Sequence, residues 1–217
     1  ISKNVNTSAA DYGSTNFRQL TKTKSYIVLQ ILRMGVSVIF CDVDIGWASS
    51  PWLSLVGYVS RTRTLTIQSN APMVQLEDGV TYATTSNGAN VTDEPPLGKR
   101  RLNSGLYIAP TSPSMIRAFK RITTRAIRFK LSEQPAFYDE LCTRVSNDEC
   151  HDEDVTVRLL DRRAFRHEAV FVNDTSSQVA YHPNWRVGGD AKRNALRTRS
   201  MWHADSSNLC TGRHRSY

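Results

Sequence analysis

Asp42-Val43-Asp44 closes the apolar run Val36-Ser37-Val38-Ile39-Phe40-Cys41 and leads into Ile45-Gly46-Trp47. Two carboxylates one residue apart at a strand end repel each other, and near a core they lose hydration. A divalent cation relieves both problems, because hard ions such as Mg²⁺ and Mn²⁺ favour carboxylate oxygens. A cation held there can in turn hold a phosphate. In open α/β sheets, ligands bind beyond the carboxyl ends of the strands, which is where Asp42 and Asp44 stand. The plain alternative is an acidic turn.

A second group of residues with chemical potential runs from His182 through Asn184, Gly188 and Gly189 to Lys192. Glycines let backbone N–H groups approach a phosphate, and a helix N-terminus attracts one. Lys192 in the first turn would add a point charge, and His182 would serve as a metal ligand or a phosphate donor. A surface loop with a chance lysine reads the same way. Asn103-Ser104-Gly105 presents an amide that either binds sugar hydroxyls or makes a turn. Glu133-Gln134 stands at a helix start, where an acid also complements the macrodipole.

The elements that must position these groups alternate between helix and strand. Phe17, Leu20, Ile27, Val28, Ile31 and Leu32 recur at helical spacing, which predicts a helix over Phe17–Met34 that stops at Gly35. Lys24 falls on its apolar stripe, so it snorkels or has an anionic partner. Val36–Cys41 then reads as a buried strand with Cys41 as a core thiol. Ser49 to Leu53 reads as a turn with aromatic packing, Thr64–Ile67 as a strand, and 77–101 as mostly loop. Leu106–Ile108 is a short strand after the Asn-Ser-Gly element. Ser112-Pro113 opens a helix whose apolar stripe is Met115, Ile116, Phe119, Ile122, Ala126 and Ile127. A further helix starts at Ser132–Pro135. Val155–Leu160 and Ala169–Val172 read as strands, and Asp190 caps a last helix starting at Ala191.

The 217 residues fit a single domain over 1–217, and the net charge is +8. Arg117, Lys120, Arg121, Arg125 and Arg128 account for much of that charge as a solvated helix face, and no nucleic-acid recognition motif accompanies them. Cys142 and Cys150 flank a polar loop and are placed to form a disulfide. With the sequons at Asn6, Asn90 and Asn173, they point to a secretory lumen.

In this order, these elements resemble the nucleotide-diphospho-sugar transferase domain of glycosyltransferase family 77. The resemblance rests on Gly35 through Trp47, with its Asp-x-Asp-x-x-Trp; on Asn103 to Gly105 running into Leu106-Tyr107-Ile108; on Glu133-Gln134; and on His182, Asn184, Gly188 and Lys192. Tyr12-Gly13 and Lys24 also fit, so it spans roughly Tyr12 to Trp202. It implies a GT-A-like α/β fold, a Rossmann-type mixed sheet flanked by helices. It also implies a UDP-sugar donor, a glycan or glycoprotein acceptor, Mn²⁺ or Mg²⁺, retention of configuration, and a Golgi-lumenal enzyme anchored by a segment outside this chain. By the same resemblance, Asp42, Asp44 and His182 hold the metal, and Gly188 and Lys192 hold the diphosphate. Asn103, Gln134 and Lys24 lie near the donor sugar, with Asp42, Asp44 and Gln134 at the catalytic centre. The chain departs from the family in two ways: the opening strand–helix unit is not seen, and Glu133 stands where relatives often have Asp. A haloacid dehalogenase-type phosphatase also uses an apolar strand ending in Asp-x-Asp, but Gly46 sits where that chemistry wants Thr or Val. A non-catalytic sugar-nucleotide binder is the other alternative.

Overall fold

The computed structural model describes residues 14–70, 73–75, 81–84, 90–91, 102–128, 132–145, 149–168, 170–171 and 176–204. Tyr12-Gly13, the sequons at Asn6 and Asn173, and most of 77–101 lie outside them.

The central sheet has six strands. They are β1 (Val38–Cys41), β7 (Leu102–Ala109), β3 (Thr64–Ser69), β10 (Thr156–Leu159), β9 (Glu149–His151) and β8 (Arg144–Val145), in that spatial order. Only β3 and β10 pair in parallel, so the sheet is mixed, as expected of this fold class. One face is covered by α1 (Thr15–Arg33), α3 (Pro113–Arg128) and α4 (Gln134–Leu141). Their apolar stripes and the sheet share a core of Leu29, Leu32, Leu65, Ile67, Tyr107, Phe119, Ile122 and Phe137. The other face carries α2 (Pro51–Val59) and a small sheet of β11 (Phe165–His167), β13 (Ala180–His182) and β2 (Gly46–Trp47). These bury Ile45, Leu55, Leu106, Ile108 and Phe165 together. A four-stranded sheet joins β12 (Val170–Phe171), β4 (Met73–Gln75), β5 (Thr81–Thr84) and β6 (Asn90–Val91). The last helix, α5 (Gly189–Thr198), packs Leu196 against Tyr181 and Met201.

Several expectations change. β1 is an edge strand, paired on one side only, so Cys41 is an exposed free thiol rather than a core one. Ser50 and Pro51 start α2 instead of a turn, with Pro at a first-turn position that has no N–H to satisfy, and Trp52 points to solvent. Strands β5 and β6 interrupt the segment read as loop. The Asn-Ser-Gly element lies inside β7. Ile127 is exposed because the apolar stripe of α3 ends at Ala126. Helix α5 begins before Ala191, and Asp190 sits in its first turn, bonded to Arg193 rather than capping. Ser112 caps α3 as expected, accepting Met115 N–H at 3.1 Å. Cys142 and Cys150 are disulfide-bonded across the β8–β9 hairpin.

The arginine face of α3 is not merely solvated. Arg117 Nε donates to Asp154 Oδ1 at 2.8 Å, Arg121 bonds both Asp152 and Asp154, and Arg125 reaches Asp139 at 3.3 Å. These pairs tie α3 to the turn before β10 and to α4. Burial raises the Asp154 carboxyl, but Arg117 and Arg121 outweigh it and hold the group below the usual carboxylate range. Because the folded state binds this proton less readily than the unfolded chain, the stability it contributes is present above about pH 4 and is lost as pH falls further. Asp154→Asn is expected to cost about 2 kcal/mol at neutral pH by leaving two guanidiniums half-paired. It should also flatten the acid limb of the stability profile, and urea denaturation across pH 3–8 measures both effects.

Candidate active site

The two carboxylates share one β-turn. Ile45 N–H donates to Asp42 C=O at 3.2 Å, which closes Asp42-Val43-Asp44-Ile45 between β1 and β2. Ile45 is buried and anchors the turn, while Val43 faces fully into solvent. Both Asp42 and Asp44 are partly buried, with side chains 25% and 16% exposed. The pairing of β2 with β13 sets Gly46 opposite Tyr181, so the next residue of β13, His182, comes to rest against Asp44. The Nε2 atom of His182 lies 3.5 Å from Asp44 Oδ1. One ligand atom from each of Asp42, Asp44 and His182 falls within 4.8 Å of the others.

The histidine's tautomer follows from its neighbours. Gln68, buried on β3, donates its amide N–H groups to the carbonyls of Phe165 (3.3 Å) and Arg166 (3.0 Å). Its Oε1 therefore faces His182 Nδ1, at 3.0 Å, and can only accept. Nδ1 therefore carries a proton, and Nε2 is the nitrogen that faces an Asp44 oxygen. A proton on Nε2 makes this contact an ion pair with Asp44, and without it the Nε2 lone pair is available to a cation; orienting a metal-ligand histidine through its second nitrogen is how metal sites are built. The donor set of two carboxylates and one imidazole thus fits a divalent ion of the Mn²⁺ type.

Two lysines hold the other carboxylate oxygens. Lys192 Nζ, from the first turn of α5, lies 2.5 Å from Asp44 Oδ2. Lys24 Nζ, from α1, lies 2.6 Å from Asp42 Oδ1 and 4.0 Å from Glu133. The charge on the apolar stripe of α1 therefore has anionic partners. Burial would lower the Lys24 ammonium, but Glu133 and Asp42 raise it above its ordinary value. Burial raises the Glu133 carboxyl, against the pull of Lys24 and the Ser104 hydroxyl. Burial likewise raises Asp44, yet His182 and Lys192 outweigh it and bring the group well below the carboxylate range.

Asn103 and Gln134 border the same cluster through a bulge in β7. Gln68 pairs with Asn103 but Ile67 pairs with Tyr107, so Ser104, Gly105 and Leu106 loop out of register with β3. Gly105 C=O accepts from Asp42 N–H at 2.7 Å, which fixes the acidic turn to the bulge. A Cβ at Gly105 would stand 2.3 Å from His182 Cε1, so only glycine lets the bulge and the imidazole share this space. Asn103 Oδ1 accepts from Gly105 N–H at 2.8 Å, and Gln134 Oε1 accepts from Ser104 N–H at 3.2 Å. Ser104 Oγ donates to Glu133 Oε1 at 3.0 Å. Gly188, at φ 87°, is the N-cap of α5 and has no side chain to satisfy the helix's first N–H groups.

All eight residues singled out from the sequence thus border one region, where Asp44 links His182 to α5 and Asp42 links Lys24 to the bulge. Gln68 and Asn70 were missed: they lie inside or just beyond an apolar strand, and nothing local marks them. Asp152 and Asp154, the second acidic pair a phosphatase would need, are committed to arginines.

The chain matches the family model described as nucleotide-diphospho-sugar transferase over residues 1–196. It is 31% identical over 223 residues to the beta-arabinofuranosyltransferase RAY1 of Arabidopsis thaliana, covering 94% of this chain and 38% of that protein. It is 26% identical to the UDP-D-xylose:L-fucose alpha-1,3-D-xylosyltransferase of the same plant, covering 93% of this chain and 54% of that one. A further xylosyltransferase of that description is 27% identical over 93% of this chain and 52% of its own length. The chain therefore spans about half or less of the curated relatives it matches. No solved structure matches it. With its acidic turn, histidine and helix-borne lysine gathered at one end of a mixed sheet, the chain belongs to the nucleotide-diphospho-sugar transferase family.

Proposed function

We propose that this chain is a metal-dependent, retaining glycosyltransferase domain that moves a pentose from a UDP-sugar to a hydroxyl of a glycan or glycoprotein. The observation that carries the reading is the meeting of Asp42, Asp44 and His182 with Lys192 at the uncapped N-terminus of α5. A cation-binding face and an anion-binding face that share Asp44 suit a metal-bridged diphosphate. The pentose follows from the relatives, whose names specify arabinofuranosyl and xylosyl groups, and L-fucose is the first acceptor to try because two of those names contain it.

Asp42, Asp44 and His182 would hold Mn²⁺ or Mg²⁺, which when bound supplies positive charge to the diphosphate as UDP departs. Lys192 and the first N–H groups of α5 stabilise the same developing charge and are set in place beforehand. Gln134 has its oxygen fixed by Ser104 N–H and its amide nitrogen without a protein partner among the described residues, so it donates to the donor sugar. An amide is a poor nucleophile, and the acceptor hydroxyl attacks from the face that the leaving group vacates. Lys24 holds Asp42 and borders the sugar, and Asn103 shapes that side through Gly105. The Cys142–Cys150 disulfide fits an oxidising lumen such as the Golgi. Among the described residues no helix is long and apolar enough to cross a membrane.

Asp44→Asn is expected to lower Mn²⁺-dependent turnover of UDP-xylose or a UDP-arabinose by at least about 100-fold, since it removes a ligand and the partner of Lys192. Unchanged turnover, with or without EDTA, would refute the metal assignment. Gln68→Met keeps the volume but releases the Nδ1 proton of His182. Mn²⁺ affinity, read by electron paramagnetic resonance, should fall about 10- to 100-fold, as for other second-layer partners of metal ligands.

A further inference from the structure

Glu168 is a carboxylate outside the cation cluster, and both of its oxygens are taken. It follows β11, whose His167 pairs with His182 in parallel register. Its Oε2 accepts from the Tyr181 hydroxyl, and its Oε1 accepts from Arg186 Nε at 2.9 Å and Nη2 at 2.5 Å. Burial raises this carboxyl, but Arg186 and Tyr181 outweigh it and hold the group below its ordinary range. The buried Tyr181 ring packs with Leu196 and Met201, and the Arg199 guanidinium at the C-cap of α5 lies 3.8 Å from its centroid. Tyr181 thus holds the far end of α5, while Glu168 reaches the segment that leads into its near end. That near end is lightly held. Between Arg186 and α5 lie only Val187 and Gly188, both exposed, and Gly188 stands at φ 87° with open space around it. The buried residues of α5 are Ala195 and Leu196, in its second half. Its first turns are tied to the domain through Lys192 on Asp44. A diphosphate held by Lys192 competes with that tie and leaves the Arg186–Glu168 pair in place.

We propose that Glu168, acting through Arg186, is a positioning residue that sets where the first turn of α5 meets the diphosphate, an inference that rests on the transferase reading for its ligand. Tyr181 and Arg186 lie on either side of His182, so one carboxylate fixes the chain before and after it. Arg186 N–H donates to Pro183 C=O at 3.1 Å, so holding the guanidinium also holds the turn that follows His182. Without that hold, Gly188 would let the chain enter α5 in many directions. A charge-assisted pair with two donors on one carboxylate restricts that choice before the ligand arrives, which spares the ligand the cost of ordering the loop. Arginine suits the role because its planar fork fixes direction as well as distance.

The test measures UDP binding by calorimetry, with Mn²⁺ present, in the full-length protein and in its Arg186→Met, Arg186→Lys and Glu168→Gln variants and the R186M/E168Q double variant. The Arg186 side chain is 50% exposed, so its replacement empties no core. Arg186→Met and Glu168→Gln are each expected to weaken UDP about tenfold, and Arg186→Lys less. The double variant should lose no more than either single one, because the two residues act as one unit. Charge alone predicts opposite signs: losing the Arg186 cation weakens an anion, and losing the Glu168 anion tightens it. Weakening by both therefore reports position. UDP affinity equal to or above the parent's in either single variant refutes the positioning role, and so do additive losses in the double variant. Fewer binding-competent molecules at unchanged affinity, the mark of a merely structural role, refute it too. In each of these outcomes the parent still binds UDP and the transferase reading stands. A parent protein that binds no UDP with Mn²⁺ refutes that reading and the positioning role with it.

Discussion

Two carboxylates held on a single β-turn repel each other, and the site is arranged around supplying them with positive charge. Lys24 comes from α1, Lys192 from α5 and the imidazole of His182 from β13, so three elements far apart in the chain meet on four residues of turn. Each lysine takes one oxygen of its carboxylate and leaves the other. Counting Glu133 with Asp42 and Asp44, three carboxylates face two ammonium groups, and His182 turns Nε2 toward Asp44. The carboxylates thus outnumber the ammonium groups by one. A divalent cation added to that set would supply the positive charge that a diphosphate requires.

That charge arrangement depends on the backbone approaching very closely at one point. The β7 bulge carries Gly105 up to His182, and Gly105 C=O ties the bulge to Asp42 N–H. A regular strand would keep Ser104, Gly105 and Leu106 in register with β3, and Asn103 and Gln134 would not be tied through the bulge to Asp42 and His182. The bulge also links the site to the core. Tyr107, the first residue back in register, packs between Phe40, Phe119 and Phe137. Stacked aromatics on one side and a hydrogen-bonded turn on the other hold the irregular segment in a fixed shape, which a preorganised electrostatic site requires.

What was legible in the sequence was largely local. Asp42 and Asp44 stand out because two carboxylates at a strand end have a physical meaning that survives in one dimension, whereas Lys192 reads as well as a chance surface lysine and takes its role from the family resemblance, as the mixed sheet does. Burial of β1 was misjudged because an apolar run does not say whether a strand has one neighbour or two, and edge position is set by the whole sheet. Ser50-Pro51 reads as a turn as readily as a helix start, because Pro serves both. Gln68 was invisible: a glutamine in a strand looks like any solvent-facing polar residue. Its importance comes from a contact 114 residues away that only the assembled sheet makes. The β7 bulge was hidden for the same reason, since register belongs to two strands at once.

The chain contains a second Asp-x-Asp pair, and comparing the two shows what distinguishes a site from a strut. Asp152 and Asp154 are nearly buried, like Asp44, but their partners are guanidiniums and backbone amides. Asp152 Oδ1 accepts from the N–H groups of Asp154 and Val155 while its Oδ2 meets Arg121, and both oxygens of Asp154 are taken by Arg117 and Arg121. The forked geometry of arginine saturates a carboxylate, and nothing further can bind there. Lysine is a point charge that occupies one oxygen and leaves its neighbour open. At Asp44 the open oxygen faces His182 Nε2, and Asp42 brings an oxygen within 4.8 Å of that cluster. The same three-residue pattern therefore locks α3 to the sheet in one place and leaves carboxylate oxygen open beside His182 in the other, and the choice of arginine or lysine as counter-ion separates the two.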